Sequence, residues 1–97
     1  MRSTNLLENL TFHDDHPFAQ PLYVDEDGRV IRFMLRPGQS IIEHNAPSSP
    51  FYVVILKGRG VFAGADGVEH TFGPNTVLLF DKGENHNVRA LDEELIF

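Results

Sequence analysis

The chain has 97 residues, 41% of them apolar, so it is the size of one domain and can bury a core of its own. Its formal charge of -6 argues against a nucleic-acid partner, because phosphates are neutralised by lysine and arginine. It has no cysteine, which excludes disulfides, thiolate metal sites and cysteine nucleophiles and leaves any metal chemistry to histidine and carboxylates.

Residues 1–20 read as an irregular polar arm, with Leu6, Leu7 and Leu10 spaced like one turn of an amphipathic helix. Within it, His13-Asp14-Asp15-His16 has side chains that bind divalent ions, but a polar stretch before Pro17 is expected to be solvated surface. The arm lacks the basic-then-apolar order of a secretory signal, and no apolar run approaches the roughly 20 residues that span a bilayer. A cytoplasmic protein with no membrane partner is therefore expected.

Residues 21–97 read as one all-β domain. Short runs rich in Val, Ile, Phe and Tyr predict strands at 22–25, 29–36, 40–44, 51–56, 60–64, 68–72, 76–80, 86–90 and 93–97. The separators, among them Asp27-Gly28, Pro37-Gly38, Asp66-Gly67 and Lys82-Gly83, supply turn chemistry. Nine short strands without a helix to cover them predict an antiparallel barrel or sandwich that buries its own inner face.

Along the second strand Ile31, Phe33 and Leu35 should face the core, which leaves Arg32 and Arg36 on a solvent or dimer surface, or on a face that binds an anion. In 51–56 both faces are apolar: Phe51, Val53 and Ile55 on one, Tyr52, Val54 and Leu56 on the other. A wall strand needs only one buried face, so the second set predicts intersheet packing or a homodimer contact. The acidic clusters Asp25-Glu26-Asp27 and Asp92-Glu93-Glu94 are expected to be turn and surface charge. Gly58-Arg59-Gly60 lacks the strand-to-helix setting of a phosphate loop, and no serine sits in a nucleophile elbow.

The run from Gly38 to Ala90 resembles the cupin superfamily. That family's first motif is a glycine, five residues, His-x-His, three or four residues, a glutamate, six residues and a glycine. Here the corresponding positions are Gly38, His44-Asn45-Ala46, Phe51 and Gly58. The second motif, Pro-x-Gly-x-x-His-x-x-x-Asn, is matched by Asp81-Lys82-Gly83-Glu84-Asn85-His86, with Ala90 at the asparagine position. The resemblance implies a single-domain cupin-type antiparallel β-barrel (jelly roll, double-stranded β-helix) whose members commonly pair as homodimers. It also implies that His44 and His86 converge in the barrel mouth.

Of the family's three histidines and one glutamate, only His44 and His86 remain. Ala46 stands at the second histidine position and Phe51 or Pro50 at that of the glutamate; Ala46 and Phe51 become pocket residues, and Phe51 would narrow and dry the mouth. Two imidazoles can hold a divalent metal ion (Zn, Fe, Mn or Ni), though most sites use more protein ligands. Glu84 and His70 are the candidates for a third ligand, since His70 alternates with Val68 and Phe72 on the apolar side. Glu43 should point outward unless a bulge turns it.

Two functions remain open: metal-dependent activity on a small-molecule ligand, or a metal-free binding or sensory module without catalysis. Whether the chain is an enzyme is left undecided, as is a third reading, an accessory subunit without a ligand.

Overall fold

The computed structural model describes the backbone of all 97 residues and every side chain except that of Glu43. Nine strands run in order: β1 (Phe18–Asp25), β2 (Gly28–Leu35), β3 (Ser40–His44), β4 (Phe51–Val54), β5 (Gly60–Ala63), β6 (Glu69–Phe72), β7 (Val77–Phe80), β8 (His86–Ala90) and β9 (Leu95–Ile96). The turns form where their residues predict. Asp25 accepts the N–H groups of Asp27 (2.8 Å) and Gly28 (3.1 Å) and closes the β1–β2 hairpin. Gly58 has φ +82°, and the Glu94 carbonyl lies where a Cβ would stand, so only glycine fits.

The strands pair as β1-β2-β9, as β3-β8-β5-β6 and as β4-β7. Beyond β4 the chain leaves β7 and makes three hydrogen bonds with β9: Leu56 N to Ile96 O (2.8 Å), Lys57 N to Ile96 O (3.2 Å) and Ile96 N to Lys57 O (2.9 Å). β1, β2, β9, β4 and β7 thus form one layer, and β3, β8, β5 and β6 the other. The expected closed barrel is not formed, because no backbone ladder joins the two layers; the fold is an all-β sandwich held together by side chains.

Between the layers Leu35, Ile55 and Leu95 are fully buried and pack with Val53, Phe62, Phe80, Val88 and Ala90. Removing such surface from water is worth roughly 25 cal/mol per Å2. This core fixes which side of each strand faces inward. As expected, Phe33 and Leu35 are on that side.

The first strand begins at Phe18, four residues before its expected start. Pro21 reads as a breaker, but β1 is an edge strand, where a missing N–H costs little, and the ladder shifts register between Pro21 and Tyr23. The irregular N-terminal arm is thus residues 1–17, with Leu6 and Leu7 in a turn and Leu10 in irregular chain rather than in a helix.

Arg32, expected on a solvent or dimer surface, is only 3% exposed. Its guanidinium donates to the carbonyls of Asn5 (3.3 Å), Leu6 (3.2 Å), Glu8 (3.1 Å) and Asn9 (3.4 Å), and Nη2 and Nε both donate to Gln20 Oε1 (2.6 and 3.2 Å). Every acceptor is neutral, so hydrogen bonds rather than a counter-ion compensate this buried cation. Gln39 adds a second tie to the arm, donating to the carbonyl of His13 at 2.8 Å. Arg36 is half-buried, with its Nε 2.9 Å from the Asp14 carboxylate and its guanidinium over the Phe12 ring.

Candidate functional site at the mouth of the sandwich

The β3–β8 ladder places His44 directly opposite His86, with a register shift between Ile41 and His44. The two rings meet edge to face, with centres 5.4 Å apart. An ion about 2 Å from one nitrogen of each ring, in tetrahedral geometry, would set the ring centres roughly 5 Å apart. The observed spacing therefore fits a shared ion.

The two histidines differ in setting. His44 is exposed, whereas His86 is 8% exposed and stacks on Phe51 (4.8 Å between centres) and on Phe80 (4.5 Å). His86 Nδ1 lies 3.1 Å from the carbonyl of Glu84, which can only accept, so Nδ1 donates and Nε2 of the neutral ring keeps its lone pair. Burial holds His86 below the ordinary imidazole value of 6.5. The Glu84 carbonyl opposes this, and the nearby His44 lowers it further.

Of the two candidate third ligands, Glu84 lines the same groove as His86 but is engaged by backbone donors, and His70 is on another strand. Glu84 accepts the N–H of Ala65 at 2.9 Å and that of Asp81 at 2.8 Å, so its carboxylate ties the β5–β6 loop to the β7–β8 turn. These two bonds hold its pKa below 4.5. His70 is on β6, the outermost strand of its sheet, where it is exposed and stacks on Phe72; the expectation that it faces the apolar interior is not met. Glu43 adjoins the register shift, and its side chain lies outside the described residues. Among the described residues no three histidine or carboxylate groups converge as a metal site, the His13–His16 stretch included.

Two spaces meet at His86. Inward, a cavity of about 20 Å3 is lined by Phe33, Phe51, Phe62, Phe80 and Phe97 together with His44 and His86. It has room for about one water. Outward, a groove of about 280 Å3 runs between the β5–β6 loop and the β7–β8 turn, lined by Gly64, Gly67, Glu84, Asn85, His86 and Asn87 among others. Phe51 lines the inner space as expected. Ala46 lines neither, and its carbonyl accepts the N–H of Gly83 at 2.9 Å. Gly83, Glu84, Asn85 and His86 of the groove belong to the second cupin motif, whereas no site motif covers Gly64 and Gly67 across from them.

A two-layer β-sandwich with facing histidines from β3 and β8 at its mouth is a cupin architecture. The family model for the cupin domain matches residues 31–96, and the chain belongs to that family. No curated protein matches it. Among solved structures it is similar to an RmlC-like cupin from Desulfovibrio desulfuricans, with 26% identity over 99% of this chain and 92% of that one and a TM-score of 0.86. A protein from Thermus thermophilus gives 20% identity over 99% and 91%, with a TM-score of 0.91. A Klebsiella pneumoniae protein with a double-stranded β-helix domain gives 18% over 100% and 85%, with a TM-score of 0.91. At these last two identities the likeness concerns the fold. Among the described residues no helix is long and apolar enough to cross a membrane.

Proposed function

We propose that His44 and His86 hold one divalent ion at the mouth of the sandwich, and that the chain is a metal-dependent binding module for a small oxygen-bearing molecule. The observation that carries this reading is the facing pair itself, with the Nδ1–H of His86 fixed on the Glu84 carbonyl, as in histidines that ligate metals through the other nitrogen. Such an ion would act as a Lewis acid on oxygen ligands in its open positions. Two nitrogen donors suit zinc or nickel better than manganese, which favours carboxylate oxygen.

The chain's own residues set the limits of this site. The Glu84 carbonyl orients His86, and Phe51 and Phe80 pack against its ring and keep water off it. The inner cavity is too small for an organic molecule, so a ligand would have to approach from outside, where the groove passes His86.

Metal analysis of untagged protein, followed by calorimetric titration with zinc and nickel, tests the reading. One ion per chain is expected, with affinity reduced at least about tenfold in His44→Ala and in His86→Ala. Loading far below one, unchanged in His44→Ala, would overturn it. The second reading, a metal-free binding module, is favoured by Phe51 standing at the family's glutamate position and stacking on His86. It wins if a chelator leaves the melting temperature unchanged while organic ligands raise it.

A further inference from the structure

The strand end that carries His44 has a sheet neighbour on one side only. β3 is an edge strand, paired with β8, and its ladder shifts register just before His44. His86 is fixed by the Glu84 carbonyl and by the rings of Phe51 and Phe80, whereas His44 is exposed. One step further out, beyond the last ladder pair, the side chains of Asn45 and Asn85 take the place of a rung. Asn45 Nδ2 donates to Asn85 Oδ1 at 2.9 Å, across 40 positions of chain. Beside it the Gly83 N–H donates to the Ala46 carbonyl at 2.9 Å, so the chain after β3 is tied to the turn before β8.

We infer that Asn45 and Asn85 are positioning residues, whose side-chain hydrogen bond holds the imidazole of His44 against that of His86. The bond matters for a metal only on the reading of the two histidines as ligands, but it acts on the rings with or without an ion. Each asparagine is the direct chain neighbour of one histidine, so the bond sets the separation of the two backbones where the rings leave them. Water competes for an exposed amide pair, so such a bond adds little to folding stability. Its effect is on geometry. A ring already held in its binding position does not have to be ordered when an ion arrives, which is worth a factor of roughly two to ten in affinity. Leucine in place of either asparagine fills a similar space without making the bond. Aspartate at position 45 still makes it, because the amide of Asn85 can turn to donate.

Proton NMR of the full chain without metal, reading the nuclear Overhauser contact between the rings of His44 and His86, decides the matter. The wild type should show that contact, as edge-to-face packing at 5.4 Å requires. Asn45→Leu and Asn85→Leu should lose it or weaken it strongly, and Asn45→Asp should retain it, with the melting temperature little changed in all three. Zinc affinity by calorimetry should follow the same pattern, reduced roughly two- to tenfold in the leucine variants and not reduced in Asn45→Asp. Leucine variants that keep the ring contact overturn the inference, as does a wild type without it. An Asn45→Asp protein that loses the contact as the leucine variants do also overturns it, since shape rather than the bond would then hold the ring. So does a large fall in melting temperature, which would make the pair part of the fold rather than of the site. If the wild type binds no zinc while the ring contacts follow the expected pattern, the metal reading fails and the bridge stands.

Discussion

Over β2 the outer surface of the five-stranded layer is closed by the chain's own arm, whereas over β4 and β7 it is open to solvent. The closed end is the more polar one, since it contains Arg32, and the open end presents only apolar side chains and a tyrosine. A buried guanidinium needs acceptors in fixed directions, and residues 5–9 wrap their carbonyls around it to supply them. Apolar side chains impose no such directions and can be covered by any fitting nonpolar surface. Covering within this chain therefore follows hydrogen-bonding need rather than apolar area.

The largest expected effect comes from removing that need. Arg32→Met leaves the arm carbonyls and Gln20 without their donor and should cost about 3 kcal/mol in denaturant unfolding. Amide exchange at residues 5–12 should quicken more than in the strands. An unchanged unfolding midpoint would mean that the arm is held by something other than the guanidinium, and the contrast between the two ends would fail.

Acid tests a third region, the mouth, with a smaller expected effect. In metal-free protein, His86 has its pKa depressed by burial, so its contribution to stability is complete above the unfolded value near 6.5 and is lost as pH falls below it towards the folded value. Glu84, depressed by its two backbone bonds, contributes fully above 4.5 and loses that contribution as pH falls through its folded value. Stability should therefore decline in two stages on acidification. His86→Phe should remove the upper stage, and a profile that keeps it would assign that stage to another group.

The smallest effect belongs to the open end. Val77→Thr should shift stability by no more than about 0.5 kcal/mol, because the side chain already faces water. A clearly larger loss, measured by thermal melting at low concentration, would show that β7 is already covered within a single chain.

The strands were legible because turn residues and apolar runs are local signals: β3 and β8 have the predicted ends. The pairing of His44 with His86 agrees with what the resemblance to the cupin family implied. Properties set by distant chain were not legible. Arg32 looked like a surface residue because its acceptors lie 23 to 27 positions earlier in irregular backbone. Alternation placed His70 on the inward side with Phe72, which does pack against the core, but alternation cannot show that β6 is the last strand of its sheet, where His70 is left exposed. Closure of the barrel depends on pairing between strand edges, which a single strand's pattern does not record.

Along with Asn87, the side chain of His86 lines two spaces of very unequal size, one of about 20 Å3 and the other of about 280 Å3. Cutting that side chain back to a methyl group would join them into one passage leading from solvent into the phenylalanine-lined interior. A filled sandwich would become a vessel with an inlet, and a His86→Ala chain should admit a small aromatic guest such as benzene that the native protein turns away.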